Sequence, residues 1–358
     1  MLQYIFNTLS APDYLNTVYA RIFIGFFIAI ISALCCGRRV IEFLHAHQAK
    51  GQPIREDGPM THLLTKKGTP TMGGLLILGS IFLAVLISAD LSNPLVWIAL
   101  VVLLVYGFVG FVDDYVKVTK NTANAMSAKM KLLLQFTTAL AAVLVVMYEL
   151  PEQYRFLVTI PYFPFYMVDL SWLYVPFAMI VIVGASNAVN LSDGLDGLAA
   201  GLLIAAFSVY LVIAYISGGE MASQLYILDI PRGAEVAVVC AAVIGACAGF
   251  LWFNAAPAKV FMGDTGSLAL GALLGTVAVM VKHEILLAVV GGVFVAEAVS
   301  VMIQVYYFRA TGGKRFFKMA PIHHHFEQLG WPETRVVIRF WIMAFILAVL
   351  GLLALQFK

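Results

Sequence analysis

The sequence predicts an all-α, polytopic integral membrane protein with about ten transmembrane helices. Apolar residues make up 62% of the 358 positions and charged residues only 12%, roughly half the charged share of an ordinary soluble domain. Apolar runs long enough to cross a bilayer recur along the whole chain. The runs are continuously apolar, without the alternation of barrel strands, so they are predicted to be helices.

Ten apolar runs reach the length of a span, and turn-rich loops separate them. No soluble domain fits between the runs, so residues 1–358 are predicted to form a single transmembrane domain. The N-terminus lacks a basic segment and a clear cleavage site, which favours retention of the first span. The predicted spans are residues 19–37, 72–89, 94–112, 132–148, 171–189, 197–217, 234–252, 265–281, 285–308 and 336–356.

The orientation follows from lysine and arginine, which accumulate in cytoplasmic loops. Most of the 22 basic residues fall in or beside the loops that follow odd-numbered spans. These loops are therefore predicted to be cytoplasmic and both termini periplasmic. A net charge of only +2 gives no reason to expect a nucleic acid partner. The predicted cytoplasmic loops are residues 38–71, 113–131, 187–197, 253–265 and 309–335.

Several polar residues at the loop ends have an ordinary structural interpretation as helix caps. Asp264 precedes the eighth span and could be its N-cap. Asp193 and Asp196 stand before the sixth span, where carboxylates suit the helix dipole. Three asparagines that close the fifth and seventh spans could also be caps; they are Asn187, Asn190 and Asn254.

Asp113 and Asp114 do not fit a capping interpretation. They are predicted to lie at the C-terminal end of the third span, where the helix dipole disfavours carboxylates. Two adjacent anions beside hydrocarbon also repel each other and lose hydration. Lys117, one turn further on, can offset one of them, but a bound divalent metal explains the pair better. Hard oxygen donors favour Mg²⁺, which one or two carboxylates and substrate phosphates commonly hold.

Three consecutive histidines, His323, His324 and His325, lie in the most basic predicted loop. Zinc is one interpretation, but adjacent histidines point in different directions, and no cysteine or HxxxH spacing completes a closed site. Substrate contact by at least one histidine is favoured instead. Glu297, inside the ninth span, is either a functional intramembrane acid or a neutral packing residue. Its distance along the chain from the cytoplasmic acids favours packing.

The acids, lysines and histidines together have the parts needed for phosphate chemistry. Carboxylates hold Mg²⁺, lysines neutralise phosphate charge, and other polar groups orient a sugar or base. No P-loop or dinucleotide-binding fingerprint is present in the sequence, so a nucleotide would bind without those motifs. Placement at one membrane face suits one lipid-borne and one soluble substrate. A cation-coupled transporter is the alternative, although its charges would lie nearer the bilayer midplane.

Five segments carry a family resemblance between about residues 60 and 340. They are GTPTMGG (68–74), FVDDYVKV (111–118), NAVNLSDGLDGLA (187–199), FNAAPAKVFMGDTGS (253–267) and MAPIHHHFE (319–327). In this order they resemble the phospho-N-acetylmuramoyl-pentapeptide-transferase family of the polyprenyl-phosphate N-acetylhexosamine-1-phosphate transferase superfamily. A GlcNAc-1-phosphate transferase of the same superfamily would share the aspartates, but the first and last segments favour the muramoyl-pentapeptide branch.

The resemblance implies a ten-helix homodimer in the lipid of the bacterial inner membrane, with its active site facing the cytoplasm. It implies Mg²⁺-dependent transfer of phospho-MurNAc-pentapeptide from UDP-MurNAc-pentapeptide to undecaprenyl phosphate. That reaction releases UMP and gives lipid I in the first membrane step of peptidoglycan synthesis.

Matched motif by motif, the resemblance also implies residue roles. Asp264 would bind Mg²⁺, and Asp113 would be the base or nucleophile, supported by Asp114. His323 would act with these catalytic aspartates, and His324 and His325 would line the sugar-phosphate side with it. Substrate phosphates would contact three lysines, Lys66, Lys117 and Lys131. The remaining substrate-binding positions, mainly on the nucleoside side, would be Asn187, Asn190, Asp193, Asp196, Asn254 and Phe261.

The chemical step has two versions. Asp113 either attacks the β-phosphorus and forms a phosphoryl-enzyme, or assists direct in-line attack by the lipid phosphate. A phosphate monoester has a second pKa of about 6, so the lipid phosphate is already mostly dianionic at neutral pH. A base then contributes little, and positioning with charge neutralisation supplies most of the acceleration. Direct attack is therefore favoured.

Overall fold

The computed structural model describes residues 16–48, 66, 68–120, 126–163, 166–225 and 227–355. Parts of two predicted cytoplasmic loops (49–65, 67 and 121–125) and both chain termini (1–15 and 356–358) lie outside the described residues. The helices are α1 (Val18–His47), α2 (Gly74–Ser88), α3 (Pro94–Lys120), α4 (Ala128–Glu149), α5 (Tyr174–Ser192), α6 (Leu198–Ser217), α7 (Ala234–Asn254), α8 (Gly263–Met280), α9 (Leu286–Val290), α10 (Gly292–Ala310), α11 (Ile322–Gln328) and α12 (Glu333–Leu352).

The predicted all-α, multi-pass class is confirmed. Within the described residues, nine helices are long and apolar enough to cross a membrane. The predicted span 72–89 forms α2, which has only 15 residues, or about 22 Å at 1.5 Å per residue. Its start is delayed because Gly73 N and Gly74 N donate to Phe261 O and Met262 O, at 2.8 and 2.9 Å. The backbone before α2 is therefore paired with the segment before α8.

The predicted ninth span, 285–308, is interrupted rather than continuous. Helix α9 ends at Val290, and α10 begins at Gly292. Gly291 between them has φ −89° and ψ 19°, outside ideal helical geometry. A glycine pair is a weak point in a helix because glycine loses the most backbone freedom there.

A short antiparallel hairpin follows α4 and was not predicted. Strands β1 (Leu157–Thr159) and β2 (Met167–Asp169) pair with Val158 opposite Val168. Each has only three residues, too few for the alternation on which a sequence-based strand prediction depends. The hairpin lies at the end of the molecule opposite the predicted cytoplasmic loops.

Helix α8 is at the centre of the fold. All of its residues except Asp264 are buried, and it packs mainly between α3 and α5. Helix α3 approaches it closely, since a Cβ added at Gly110 would lie 2.1 Å from Asp264 O. This close contact between α3 and α8 fixes how deep in the helix bundle Asp264 lies.

The two ends of the helix bundle differ in their polar contacts. At one end Arg21 donates to Glu235 Oε2 at 2.7 Å, and the same oxygen accepts from Asp90 N at 2.9 Å. These residues join the start of α1, the end of α2 and the start of α7. The described parts of the five predicted cytoplasmic loops meet at the other end. That this end faces the cytoplasm stays a prediction.

Gly110→Ala is expected to destabilise the protein by about 1–3 kcal/mol, because the new methyl group would overpack the contact between α3 and α8. Thermal unfolding in detergent measures the change. Gly79→Ala is the matched control: it is also a helical glycine, but an added Cβ there meets nothing within 4 Å. The interpretation is wrong if both variants unfold at the temperature of the original protein.

Candidate active site

Two aspartates and two lysines form a compact charge cluster where α3, α4 and α8 meet. Lys117 Nζ lies 2.6 Å from Asp113 Oδ2 and 3.1 Å from Asp264 Oδ2. Lys131 Nζ lies 3.1 and 2.8 Å from the same two oxygens. Each carboxylate thus contacts both ammonium groups. Residues from three separate segments are thus brought together, including Asp113 and Asp264, which were predicted to lie at the same membrane face.

Asp114 points to the start of α8 rather than into this cluster. Its Oδ2 accepts from Thr265 N at 2.9 Å and Thr265 Oγ1 at 2.8 Å, and its Oδ1 accepts from Asp264 N at 3.2 Å. The first backbone N–H groups of a helix have no partner within it. Asp114 supplies that partner from a neighbouring helix and so fixes the backbone of Asp264.

The prediction that Asp113 and Asp114 lie at a helix C-terminus is wrong. Helix α3 continues from these aspartates to Lys120, because its polar end extends beyond the apolar run. The dipole argument therefore does not apply to them. Their burial is stabilised by the two lysines and by the N-terminus of α8.

The remaining oxygen of Asp264 is held by α5. Asn190 Nδ2 donates to Asp264 Oδ1 and to Ser267 Oγ, both at 2.8 Å. Both carboxylate oxygens of Asp264 thus contact donors, while its side chain keeps 15% of its surface exposed. Asp264 is therefore partly exposed, and the exposed surface that it shares with Lys117 and Lys131 is called the cleft below.

Asp193 contacts the backbone just before Asp264. Its Oδ2 accepts from Gly263 N at 3.1 Å. Burial, together with the nearby charges of Asp264 and Asp114, raises the pKa of Asp193 well above its usual range. Gly263 has φ +72°, and a Cβ there would lie 2.6 Å from both Asp114 Oδ2 and Thr71 Oγ1. Only glycine fits this junction.

Two predicted substrate-binding asparagines contact the protein itself. Asn187 Nδ2 donates to Gln135 Oε1 at 2.9 Å and to Val183 O at 2.8 Å. Asn254 accepts from Gly197 N at 3.0 Å and donates to Val260 O at 2.8 Å. Asn254 thus joins the loops before α6 and α8, and its substrate contact stays a prediction. Gln135 was not predicted, because it is a single polar residue in an apolar run.

Lys66 forms a second cluster, apart from the first, with two acids. Its Nζ lies 2.8 Å from Asp196 Oδ1 and 2.6 Å from Glu333 Oε1, and 5.8 Å from the centre of the Phe261 ring. Burial favours the neutral amine, but the charges of Glu333 and Asp196 outweigh it and raise the pKa of Lys66. Glu333 was not predicted, because an acid in the first turn of a helix is common.

The three histidines have different environments in and around α11. His323 is fully buried, and its Nδ1 lies 3.0 Å from Glu297 Oε2. His324 Nδ1 lies 2.7 Å from Glu327 Oε2, and His325 Nδ1 accepts from Lys318 N at 3.1 Å. The premise that Glu297 is remote from the predicted cytoplasmic residues is wrong, and His323 is not exposed to the cleft.

The donor set fits a divalent ion that also binds substrate. Carboxylate oxygens are available from Asp113 and Asp264, which contact the two lysines, while Asp114 and Asp193 hold the backbone beside Asp264. Within the described ranges no three acidic, histidine or cysteine side chains are arranged to hold an ion by themselves. Mg²⁺ commonly takes one or two carboxylates and completes its shell with phosphates and water, and the partly exposed carboxylate of Asp264 would suit such a site.

Comparisons with known proteins bear on the family of this chain. A model of glycosyl transferase family 4 matches residues 96–282, and phospho-N-acetylmuramoyl-pentapeptide-transferase signature 1 matches residues 66–78. A phospho-N-acetylmuramoyl-pentapeptide-transferase of Caulobacter vibrioides (strain NA1000 / CB15N) is 51% identical over 336 residues, which cover 92% of this chain and 90% of that protein. The chain belongs to the phospho-N-acetylmuramoyl-pentapeptide-transferase family.

Membership of the phospho-N-acetylmuramoyl-pentapeptide-transferase family confirms the resemblance seen in the motifs. The signature region contains Lys66 and the irregular backbone before α2. The longer family match begins in α3 and ends just after α8. It contains all four residues of the aspartate–lysine cluster. The roles of the individual residues stay predictions.

Glu333→Gln is expected to lower the pKa of Lys66, because it removes one of the two carboxylates that stabilise the ammonium. More of the amine is then neutral at alkaline pH, so Lys66 should react faster with an amine-acylating reagent, as measured by peptide mass spectrometry. Glu327→Gln is the matched control, since Glu327 contacts His324. Unchanged or slower labelling of Lys66 in Glu333→Gln would contradict this account.

Proposed function

We propose that this protein transfers phospho-MurNAc-pentapeptide from UDP-MurNAc-pentapeptide to undecaprenyl phosphate, giving lipid I and UMP. This is the first membrane step of peptidoglycan synthesis. The observation that carries the proposal is the contact of Lys117 and Lys131 with both Asp113 and Asp264. Such a cluster offers cations for a diphosphate and carboxylates for a metal in one cleft. Family membership supports the same reaction.

The two lysines contact the donor diphosphate in this proposal. An ammonium group now shared between two carboxylates can turn to a phosphate oxygen without a change of backbone. Lys117 and Lys131 keep about a fifth of their side-chain surface exposed, 22% and 19%, so both remain accessible from the cleft. Phe261, near Lys66, offers a ring face for the nucleoside.

In this proposal Asp264 would hold Mg²⁺ together with the donor phosphates. When bound, the ion would neutralise the charge that develops on the transferred phosphoryl group and on the leaving UMP. The tie from Asp114 to the amides of Asp264 and Thr265 keeps this carboxylate at a fixed depth. Asn190 orients its other oxygen.

The lipid phosphate attacks the sugar-bearing phosphorus directly in this proposal. The new bond joins a lipid phosphate oxygen to that phosphorus, and the bond to the bridging oxygen of UMP breaks. Asp113 is 2% exposed; its Oδ1 accepts from Met126 N at 3.0 Å, and its Oδ2 contacts both lysines. Because Asp113 is buried while Asp264 keeps an exposed edge, direct attack by the lipid phosphate is favoured over a phosphoryl-enzyme on Asp113, whose role is then to orient the lysines.

The cleft faces the cytoplasm of a bacterial cell in this proposal, and the protein lies in the inner membrane as a homodimer. The gathering of the basic loops at the same end as the aspartates supports this orientation, by the positive-inside rule. UDP-MurNAc-pentapeptide would then reach the cleft from water, and undecaprenyl phosphate from the bilayer.

Asp264→Asn is expected to reduce UMP release by roughly 100-fold or more, the size of effect that loss of one charge-stabilising group has in other enzymes. The residual rate should no longer depend on Mg²⁺. UMP release is measured with purified protein, undecaprenyl phosphate and a Mg²⁺ titration with EDTA controls. Asp90→Asn is the control, because Asp90 contacts Ser92 at the opposite end. Near-normal activity of Asp264→Asn would remove the metal assignment.

Lys131→Ala is expected to lower kcat/KM for UDP-MurNAc-pentapeptide by about 10- to 100-fold. This is the loss expected when one hydrogen bond to a charged group is removed. Lys129→Ala is the matched control: it lies two residues earlier on the same helix and is exposed. Equal effects of the two changes would argue for a general electrostatic role instead of a phosphate contact.

The donor can be tested in the same assay. UDP-MurNAc-pentapeptide should release UMP only when undecaprenyl phosphate is present, and UDP-GlcNAc should not replace it. Turnover of UDP-GlcNAc instead would assign the chain to another branch of the superfamily. UMP release without a lipid acceptor would contradict the transfer itself.

A further inference from the structure

Glu297 is a buried acid that the proposed reaction leaves unused. It lies in α10, within a predicted membrane span, and its side chain has no exposed surface. Acids at such positions are costly and commonly functional. Within the described residues neither of its oxygens has a hydrogen bond, and Oε2 lies 3.0 Å from His323 Nδ1. Such a pair needs an explanation other than the stability of the fold.

His323 connects Glu297 to the loop that carries Asp193. The opposite edge of its imidazole faces Gly194, where an added Cβ would lie only 2.4 Å from Nε2. The ring therefore occupies the space that any larger residue would need. Since Asp193 immediately precedes Gly194 and contacts Gly263 N, the ring position and the backbone beside Asp264 are mechanically connected.

Helix α11 does not need Glu297 to stay in place. Phe326 stacks on Trp331, with ring centres 4.7 Å apart, and packs edge-to-face on Phe340 at 6.0 Å. Lys318 Nζ donates to Gln328 O at 3.1 Å. These contacts hold the helix against α12 and the preceding loop. The contact of Glu297 with His323 therefore affects the orientation of the His323 imidazole and not the position of α11.

We infer that Glu297 is a positioning residue for the proposed transfer: it holds the His323 imidazole against Gly194 and thereby sets the position of Asp193 beside Asp264. This inference rests on the proposed function. Glu297 does not touch substrate in this role, and His323 acts through the loop. A displacement of reacting groups by about 1 Å is enough to slow a reaction 100-fold.

The test measures kcat and KM for UMP release in Glu297→Ala, Glu297→Gln and His323→Ala. Glu297→Ala should lower kcat about 10- to 100-fold with little change in KM for UDP-MurNAc-pentapeptide. Glu297→Gln keeps the size of the side chain and an oxygen that can contact Nδ1, and should recover much of the rate. Glu284→Gln is the matched control, a buried carboxylate that contacts Tyr174 and Lys282 at the opposite end; its kcat should not change.

A double-variant comparison decides whether Glu297 acts through His323. Glu297→Ala should slow the original protein but cause no further loss in the His323→Ala background. Fully additive losses would overturn the inference. Thermal unfolding of each purified variant shows whether it is folded. If Glu297→Ala does not fold, Gly194→Ala gives the second comparison: its effect should be smaller in the His323→Ala background, and an equal effect in both would overturn the inference.

Failure of the proposed function gives a different result. The original protein would then release no UMP from UDP-MurNAc-pentapeptide with undecaprenyl phosphate. The positioning role alone is overturned if the original protein is active and both Glu297→Ala and Glu297→Gln are folded and as active as the original.

Discussion

The fold holds the N-terminus of a buried helix against acids and lysines from its neighbours, and the candidate site depends on this contact. Helix α8 is buried along its whole length except at Asp264. Asp114 binds its first amides, Asp193 binds Gly263 N, and Lys117 and Lys131 bind the Asp264 carboxylate. The N-terminal partial charge of α8 stabilises these carboxylates in turn. Neither the helix end nor the acids would be stable at this depth alone.

Some aspartates of the motifs therefore have a structural role, whatever their part in the proposed reaction. The carboxylate of Asp114 is occupied by α8, and that of Asp196 by Lys66 and Ala258 N. Asp264 keeps an exposed edge. Loss of activity on substitution would not distinguish these roles by itself. Substitutions at Asp114 are expected to act through the backbone of α8, and those at Asp264 through the cleft.

Much of the fold and of the site could be predicted from the sequence. Long apolar runs specify membrane helices because length and composition suffice, and the aspartate motifs converge because their loops follow alternate spans. The partners of each acid could not be predicted. Lys66 pairs with Glu333, which is far away in the sequence. Glu297 contacts His323 because α10 and α11 pack against each other. Such pairs depend on helix packing, which no local pattern encodes. The predicted boundaries of the second and ninth spans were wrong for a similar reason. Backbone contacts delay the start of α2, and a glycine pair separates α9 from α10, although hydropathy alone predicted continuous spans.

The sharing of Lys117 and Lys131 between Asp113 and Asp264 has a thermodynamic consequence. In the proposed reaction, a diphosphate that recruits the ammonium groups leaves the two carboxylates facing each other without counter-charge. A divalent cation held by Asp264, as proposed, would reduce that repulsion. Nucleotide and cation are then expected to bind with positive heterotropic linkage, in which each raises the affinity of the other by the same factor. In the proposed reaction, the ion pairs among these four residues would keep the charged site stable until nucleotide and cation bind.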